Sequence, residues 1–309
     1  MKEKGVDNMK ICIFGAASFI GTNLSLELSK NNHLRLIDIN KEYFINNISN
    51  SEIIEDKLDS NTDFDKLLDG QDIVYHLFST NNPSSSNIDF EKEIMPNIEF
   101  SIRLLESCVK NNIKRVIFIS SGGAIYDKDE KCPLKEDSKV NPKSTYGLQK
   151  LMIEKLLYLY NFKYNLDYKI VRLSNPYGPY QRPGILGVVS TSIYNALNDK
   201  EITIYGDGKI VRDFIYIDDA IRGIINISNS KTNTRIYNLG TGIGTSINDM
   251  LMIIEKVLNK KLNIKYSESR KIDYKINYLN ISLYENEFGK MNNISLEEGI
   301  KKTIDFMNK

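Results

Sequence analysis

Lys10-Ile-Cys-Ile-Phe-Gly15-Ala-Ala-Ser-Phe-Ile-Gly-Thr-Asn-Leu24 decides the fold. A short β-branched run ends in glycine and gives way at once to a helical pattern that continues through Leu26 and Leu28. Glycine at position 15 permits a tight turn, and glycine at position 21 permits close packing of helix on strand. The helix opening at Phe19 and Ile20 presents unpaired N–H groups, the usual seat of a pyrophosphate. Ser18 occupies the middle slot where a third glycine often stands, with a hydroxyl that can donate to a phosphate oxygen.

Working outward, the same rhythm repeats. Leu34–Asp38, Ile73–Leu77, Arg115–Ile119 and Lys169–Leu173 read as further strands, with a helix around Ile98, Ile102, Leu105 and Val109 and another carrying Tyr146. Strands alternating with helices predict an α/β fold, a Rossmann-like doubly wound parallel sheet. After Asn175 the rhythm changes. Pro176, Gly178, Pro179, Pro183, Gly184 and Gly187 mark an irregular stretch, followed by a strand at Ile202–Tyr205 and the turn Gly206-Asp-Gly208. Helices are expected over Asp219–Ile227, Asn248–Leu258 and Ser295–Met307. The division predicted is a disordered tail at 1–8, a dinucleotide-binding Rossmann domain at 9–174 and a smaller C-terminal substrate-binding lobe at 175–309. Segments of that lobe, about 214–240, are expected to return to the sheet domain. The active site is expected in the cleft between the two, outside the carboxyl ends of the strands.

Composition narrows the function. A chain of 309 residues with 41% hydrophobic and 26% charged residues can bury a sizeable core. Its net charge of +1 gives no reason to expect nucleic acid or an anionic membrane as partner. No apolar run is long enough to span a bilayer. The polar residues before Met9, a possible true start, lack the apolar core of an export signal. Cys12, Cys108 and Cys132 lack metal-ligand spacing and read as reduced thiols of a cytoplasmic protein. With only His33 and His76 present, a His-rich metal site is excluded, and no metal is expected.

Asp38 ends the second strand about twenty residues past the glycine turn, where a carboxylate accepts from the adenosine ribose hydroxyls. Its neighbours Ile39 and Asn40 supply no arginine for a 2′-phosphate, which favours NAD over NADP. Asp56, Leu58 and Asp59 are expected to border the adenine. Tyr146 and Lys150 lie four apart and share a helix face. Lowering a tyrosine pKa from about 10 toward 7 takes roughly 4 kcal/mol of phenolate stabilisation. A neighbouring ammonium and a cationic nicotinamide can supply that in a partly dry site. Phenolate Tyr146 then takes the proton of a secondary alcohol while its carbon gives up hydride.

Together Gly15 through Gly21, Asp38, Ser120-Ser-Gly-Gly-Ala-Ile-Tyr126, Tyr146-Gly-x-x-Lys150, Arg172-Leu-Ser-Asn-Pro-Tyr-Gly-Pro179 and Arg212-Asp-Phe-Ile-Tyr-Ile-Asp-Asp219 resemble the extended short-chain dehydrogenase/reductases. Within these the chain is most similar to the NAD-dependent sugar-nucleotide epimerases of the UDP-galactose 4-epimerase type, from about Met9 to its end. The resemblance implies that Leu77, Phe78 and Ser79 pass under the cofactor, with Asn97 bracing them and Pro176 near the nicotinamide. It implies Asn175, Arg212 and Arg270 at the substrate diphosphate, Thr203 and Tyr205 along the uracil, and Asp273 on the uridine ribose. Two positions depart from the pattern. The hydroxyl that many relatives carry falls here on Gly122, so Ser121 is assigned that role, relaying to Tyr146. Asp127 replaces the usual glycine after Tyr126.

The Asp-Glu pair of the related 4,6-dehydratases is replaced by Gly123 and Ala124, and the glutamate of the decarboxylating relatives is absent too. Family reductases typically use NADPH, which Asp38 disfavours. That leaves inversion at C4 of a UDP-hexose through a 4-keto intermediate. The substrate the resemblance implies is UDP-glucose/UDP-galactose or their N-acetyl forms, the latter because Asn277 stands where a tyrosine narrows the sugar pocket in stricter relatives. An NAD-dependent nucleotide-sugar reductase or dehydratase, or a non-catalytic NAD or nucleotide-sugar binder, remain the alternatives. The apolar stripes Ile98/Ile102/Leu105/Val109 and Leu151/Met152/Leu156 are either core or, as the resemblance implies, a homodimer contact.

Overall fold

The computed structural model describes residues 8–45, 48–81, 89–184, 187–269 and 274–309. The chain forms two compact units. One comprises residues 1–121, 144–171 and 224–237, and the other residues 122–143, 172–223 and 238–309.

The first unit is built on strands β1 (Lys10–Phe14), β2 (His33–Asp38), β3 (Ser51–Glu55), β4 (Ile73–His76), β5 (Arg115–Ser121) and β6 (Tyr168–Leu173). With a seventh strand, Ile236–Leu239, they form one sheet whose order from its other edge is β3-β2-β1-β4-β5-β6 and then Ile236–Leu239. β1 pairs in parallel with β2 and β4, β2 with β3, and β4 with β5. This is the Rossmann order, in which the winding reverses between β1 and β4 and ligands lie beyond the carboxyl ends there. β1, β4 and β6 are buried nearly throughout because both faces of a parallel sheet are covered. Around the sheet lie helices α1 (Phe19–Leu28), α2 (Phe64–Leu68), α3 (Phe90–Lys110) and α4 (Thr145–Tyr164). Ser144 caps α4 by accepting from Gly147 N–H, and Asn165 ends it in the left-handed conformation at φ 57°. The core gathers Phe14, Phe100, Phe118, Leu104 and Ile153.

Strand β3 escaped the sequence reading because its residues alternate poorly and are mostly exposed. Of the tail expected at 1–8, residues 1–7 lie outside the described residues, and Asn8 N–H donates to Asn31 O at 2.8 Å.

The second unit pairs Asn175–Tyr177 in parallel with Phe214–Tyr216, and Ile202–Tyr205 in parallel with Ile264–Ser267. Val211–Arg212 lies between Thr245–Ser246 and Ile276–Asn277. Residues 122–143, which the sequence reading assigns to the first domain, group with this unit. Gly122 N–H donates to Leu173 O at 2.8 Å, Arg172 donates to the Tyr126 hydroxyl at 3.0 Å, and that hydroxyl donates to Asn238 Oδ1 at 2.6 Å. The segment returning to the sheet unit is 224–237, shorter than the 214–240 expected. Among the described residues no helix is long and apolar enough to cross a membrane, and no three His, Cys, Asp or Glu side chains gather around a metal position.

Candidate active site

The glycine turn holds itself in shape. Gly15 has φ +82°, and a Cβ there would stand 2.9 Å from Phe78 N and 3.0 Å from Leu77 C, so the backbone just past β4 occupies the space a side chain needs. At Gly21 the crowding comes from the turn itself, with Gly15 O 2.3 Å from an added Cβ. The last glycine therefore serves contact between helix and turn, where the sequence reading expected contact between helix and strand. Ser18 is the α1 cap, accepting from Gly21 N–H at 3.1 Å and donating to Gly15 O at 2.7 Å. Its proton is thus spent inside the turn and is not aimed at a phosphate. The N–H groups of Phe19 and Ile20 are the first-turn donors left for an anion.

Asp38 fastens the turn from the second strand. One carboxylate oxygen accepts from Ala17 N–H at 2.8 Å, and the other from Ile39 N–H at 2.8 Å. Asn40 caps a short 3-10 turn by accepting from Glu42 N–H. Leu58 is buried at φ 54°, with its N–H on Asp56.

Beyond β4, Leu77, Phe78 and Ser79 run past the turn. Asn97 braces this segment through Thr80 N–H at 2.9 Å and Thr80 Oγ1 at 2.7 Å. A second brace was missed in the sequence. Gln149 Nε2, on α4 between Tyr146 and Lys150, donates to Ser79 Oγ at 3.1 Å and Asn81 Oδ1 at 2.6 Å. The x-x-x of a Tyr-x-x-x-Lys pair carries no signal for it.

Ser121, Tyr146 and Lys150 come together in this unit. Ser121 ends β5 beside Tyr146, and its hydroxyl acts on the phenol in the direction of a lower pKa. Lys150 Nζ donates to Ile119 O at 2.9 Å and stands 5.7 Å from the Tyr146 ring centroid. Burial pushes the phenol up to about 12, against the pull of the Ser121 hydroxyl. Burial also brings the Lys150 ammonium down to about 8, with the Glu154 carboxylate opposing. The sequence reading expected a phenol lowered toward 7. The residues of the protein alone move it the other way, because burial outweighs what one hydroxyl supplies. Glu154, one turn past Lys150 and itself buried, accepts from Ser120 Oγ at 2.6 Å. His76 lies beneath, its Nε2 2.8 Å from Ser101 Oγ. Burial and the Lys150 charge hold its pKa to about 3.

The second unit carries its own cavity of about 170 Å³, lined by Asn175, Pro176, Thr203, Tyr205 and Arg212, with Tyr177, Ile204 and Phe214 among the other walls. Arg212 Nη1 is steadied by Val211 O at 2.9 Å and Tyr274 O at 2.7 Å. Asn175 donates one side-chain N–H to Asp213 O at 3.1 Å. Asn277, expected in the sugar pocket, does not line this cavity. It is 1% exposed and donates to Gly122 O at 3.3 Å. Arg270 and Asp273 lie outside the described residues. The absent hydroxyl at Gly122 has a steric reason: a Cβ there would meet Leu279 Cδ1 at 2.7 Å and Arg172 O at 3.2 Å.

Comparison with known proteins agrees with this geometry. The model of the NAD dependent epimerase/dehydratase family matches residues 11–240. The structure is similar to that of UDP-glucose 4-epimerase from Thermotoga maritima with UDP-glucose (TM-score 0.91, 29% identity, 97% of this chain and 99% of that one covered). It also resembles UDP-N-acetylglucosamine 4-epimerase from Methanobrevibacter ruminantium in complex with UDP-N-acetylmuramic acid (0.89, 30%, 98% and 99%). A third likeness is to UDP-glucuronic acid 4-epimerase from Bacillus cereus with UDP-glucuronic acid and NAD (0.88, 31%, 97% and 99%). A family match across the sheet and the Tyr146 helix, joined to a turn shaped for a dinucleotide, identifies the chain as a member of the NAD-dependent epimerase/dehydratase family.

Proposed function

We propose that the protein is a 4-epimerase of a UDP-hexose, working through a 4-keto sugar. The observation that carries this reading is the Ser121–Tyr146–Lys150 group, built into the same unit as a glycine turn where a Cβ would fill the space needed for close backbone approach. That turn, the N–H groups of Phe19 and Ile20, and Asp38 fit NAD, the first two at its pyrophosphate and Asp38 at its ribose. NAD supplies, when bound, a hydride acceptor that can hand the hydride back.

The protein's own residues handle the proton. Tyr146 takes it from the C4 hydroxyl and returns it after the sugar has presented its other face. Ser121, beside Tyr146, holds the reacting hydroxyl and stabilises the phenolate. Bringing the phenol from about 12 to near 7 takes roughly 7 kcal/mol of differential stabilisation. Lys150 contributes through its charge, and a cationic ring beside the phenol adds to it. Gly123 and Ala124 offer no carboxylate to protonate a leaving hydroxyl, which favours epimerisation over dehydration. In the second unit, Arg212 and Asn175 bind the diphosphate, with Thr203 and Tyr205 along the base.

A homodimer accompanies this reading. Leu148, Met152, Leu159 and Phe162 lie on one face of α4 and are 36–78% exposed, an apolar stripe that a second copy can cover.

Incubation with UDP-glucose, UDP-galactose, their N-acetyl forms and UDP-glucuronic acid, with products resolved by NMR, tests the function. Interconversion at C4 of at least one pair is expected. Absence of C4 inversion in all of them, with NAD bound, refutes it.

A further inference from the structure

Asp213 follows Arg212 directly and is fully buried, yet no cation pairs with it among the described residues. Its charge is held by neutral donors. Oδ1 accepts from Thr241 N–H at 2.8 Å and Thr241 Oγ1 at 2.7 Å, and Oδ2 from Gly242 N–H at 3.1 Å and, longer, Leu279 N–H at 3.4 Å. The approach is so close that a Cβ on Gly240 would stand 2.4 Å from Oδ2. The main chain of Asp213 faces the other way. Its carbonyl accepts from Asn175 N–H at 3.0 Å and from the Asn175 side-chain amide at 3.1 Å.

This residue is also a joint between two small sheets. Before it, Arg212 is registered against Thr245 and Asn277. After it, Phe214 is registered against Asn175. Arg212 and Asn175 both line the cavity of this unit, and Asp213 is the point where the two strands carrying them are tied. A buried carboxylate is costly unless its lone pairs are well satisfied. Four donors from two loops satisfy it only when those loops are in place.

We propose that Asp213 is a positioning residue for nucleotide binding: its side chain clamps the 241–242 loop and Leu279 so that Arg212 and Asn175 are presented together to a nucleoside diphosphate. This rests on the reading of that cavity as the nucleotide site. A carboxylate that served stability alone would leave ligand affinity of the folded protein unchanged.

The test compares UDP binding by calorimetry, together with KM and kcat, in the wild-type protein and in Asp213→Asn, which keeps shape but turns an amide N–H toward the donors. UDP affinity is expected to fall and KM to rise about 10- to 100-fold, the scale of a small misplacement of binding groups, with kcat at saturation within about threefold. NAD affinity should stay at the wild-type value. Unchanged UDP affinity in the folded variant overturns the proposal, as does a loss confined to kcat. Should Asp213→Asn fail to fold, Thr241→Val decides: removing one donor should weaken UDP binding about 3- to 10-fold, and no change refutes the clamp. If the wild-type protein binds UDP but inverts no sugar, the reading of the reaction falls while the affinity ratio still decides Asp213. A wild-type protein that does not bind UDP overturns both.

Discussion

Serine at position 122 should be tolerated only if Leu279 is shortened at the same time. A Cβ on Gly122 lies 2.7 Å from Leu279 Cδ1 and 3.0 Å from Cδ2. Carbon atoms prefer about 3.5–4.0 Å, so the leucine must retreat by about 0.8 Å or more. It has nowhere to go, being fully buried and packed with Ile125, Tyr126, Leu134 and Ile281. The other near atom, Arg172 O at 3.2 Å, is backbone and cannot swing aside. Overpacking of this kind costs about 1–3 kcal/mol, and Leu279→Ala alone should cost about 2–5 kcal/mol through the cavity it leaves. In the double variant the serine side chain enters that cavity, so the combined loss should fall short of the sum by about 1–2 kcal/mol. Urea unfolding of the wild-type protein and the three variants, followed by circular dichroism, closes the cycle. Losses that add to within about 0.5 kcal/mol would show that Leu279 is not what excludes a side chain from position 122.

Four further outcomes are expected. Tyr146→Phe should abolish turnover while leaving UDP and NAD affinities within about threefold, since the phenyl ring keeps the packing and loses only the proton carrier; residual epimerisation above one per cent of wild type would contradict the assigned role. Gly15→Ala, strained at φ +82° and crowded by Phe78 N, should weaken NAD binding and lower the melting temperature together, and an unperturbed variant would mean the turn can relax. His76, at about 3 in the folded state against 6.5 when exposed, stays neutral while the unfolded chain takes up a proton. Stability should therefore fall as pH drops through 6.5 toward 3, by up to about 1.4 kcal/mol per pH unit; a His76→Gln variant should show a flatter dependence between pH 6 and 4, and parallel curves would rule this out. Phe162→Glu, at the C-terminal end of the exposed α4 stripe and its most exposed member, should convert the protein to monomers in analytical ultracentrifugation, and an unchanged sedimentation coefficient would remove that face from the dimer.

Much of the sheet unit was legible because its signals are local. Gly15, Gly21, Asp38, Tyr146 and Lys150 announce themselves by spacing along single elements, and the β-branched runs of β1, β4, β5 and β6 read directly as buried parallel strands. What was not legible depends on contacts distant in sequence. Nothing around Gly122–Lys143 tells that it packs with Arg172, Asn238 and Leu279, so the unit boundary was placed by chain order and not by contact. Gln149 and Asp213 stand inside familiar motifs as variable or unremarked letters, and only their hydrogen-bond partners, more than twenty-five residues away, reveal their work. For Asn277 the size was readable, but not that its amide donates to Gly122 O. The tyrosine pKa needed burial, a property of the whole fold, before its direction could be known.

Ser18 and Asp38 lock the glycine loop with internal hydrogen bonds that involve no bound molecule. The cradle is therefore finished when the polypeptide finishes folding, and a dinucleotide arriving there meets a rigid receptor, with little entropy lost to ordering backbone on association. Such preorganisation favours a bound dinucleotide over a free one, because release brings the loop no compensating gain in freedom.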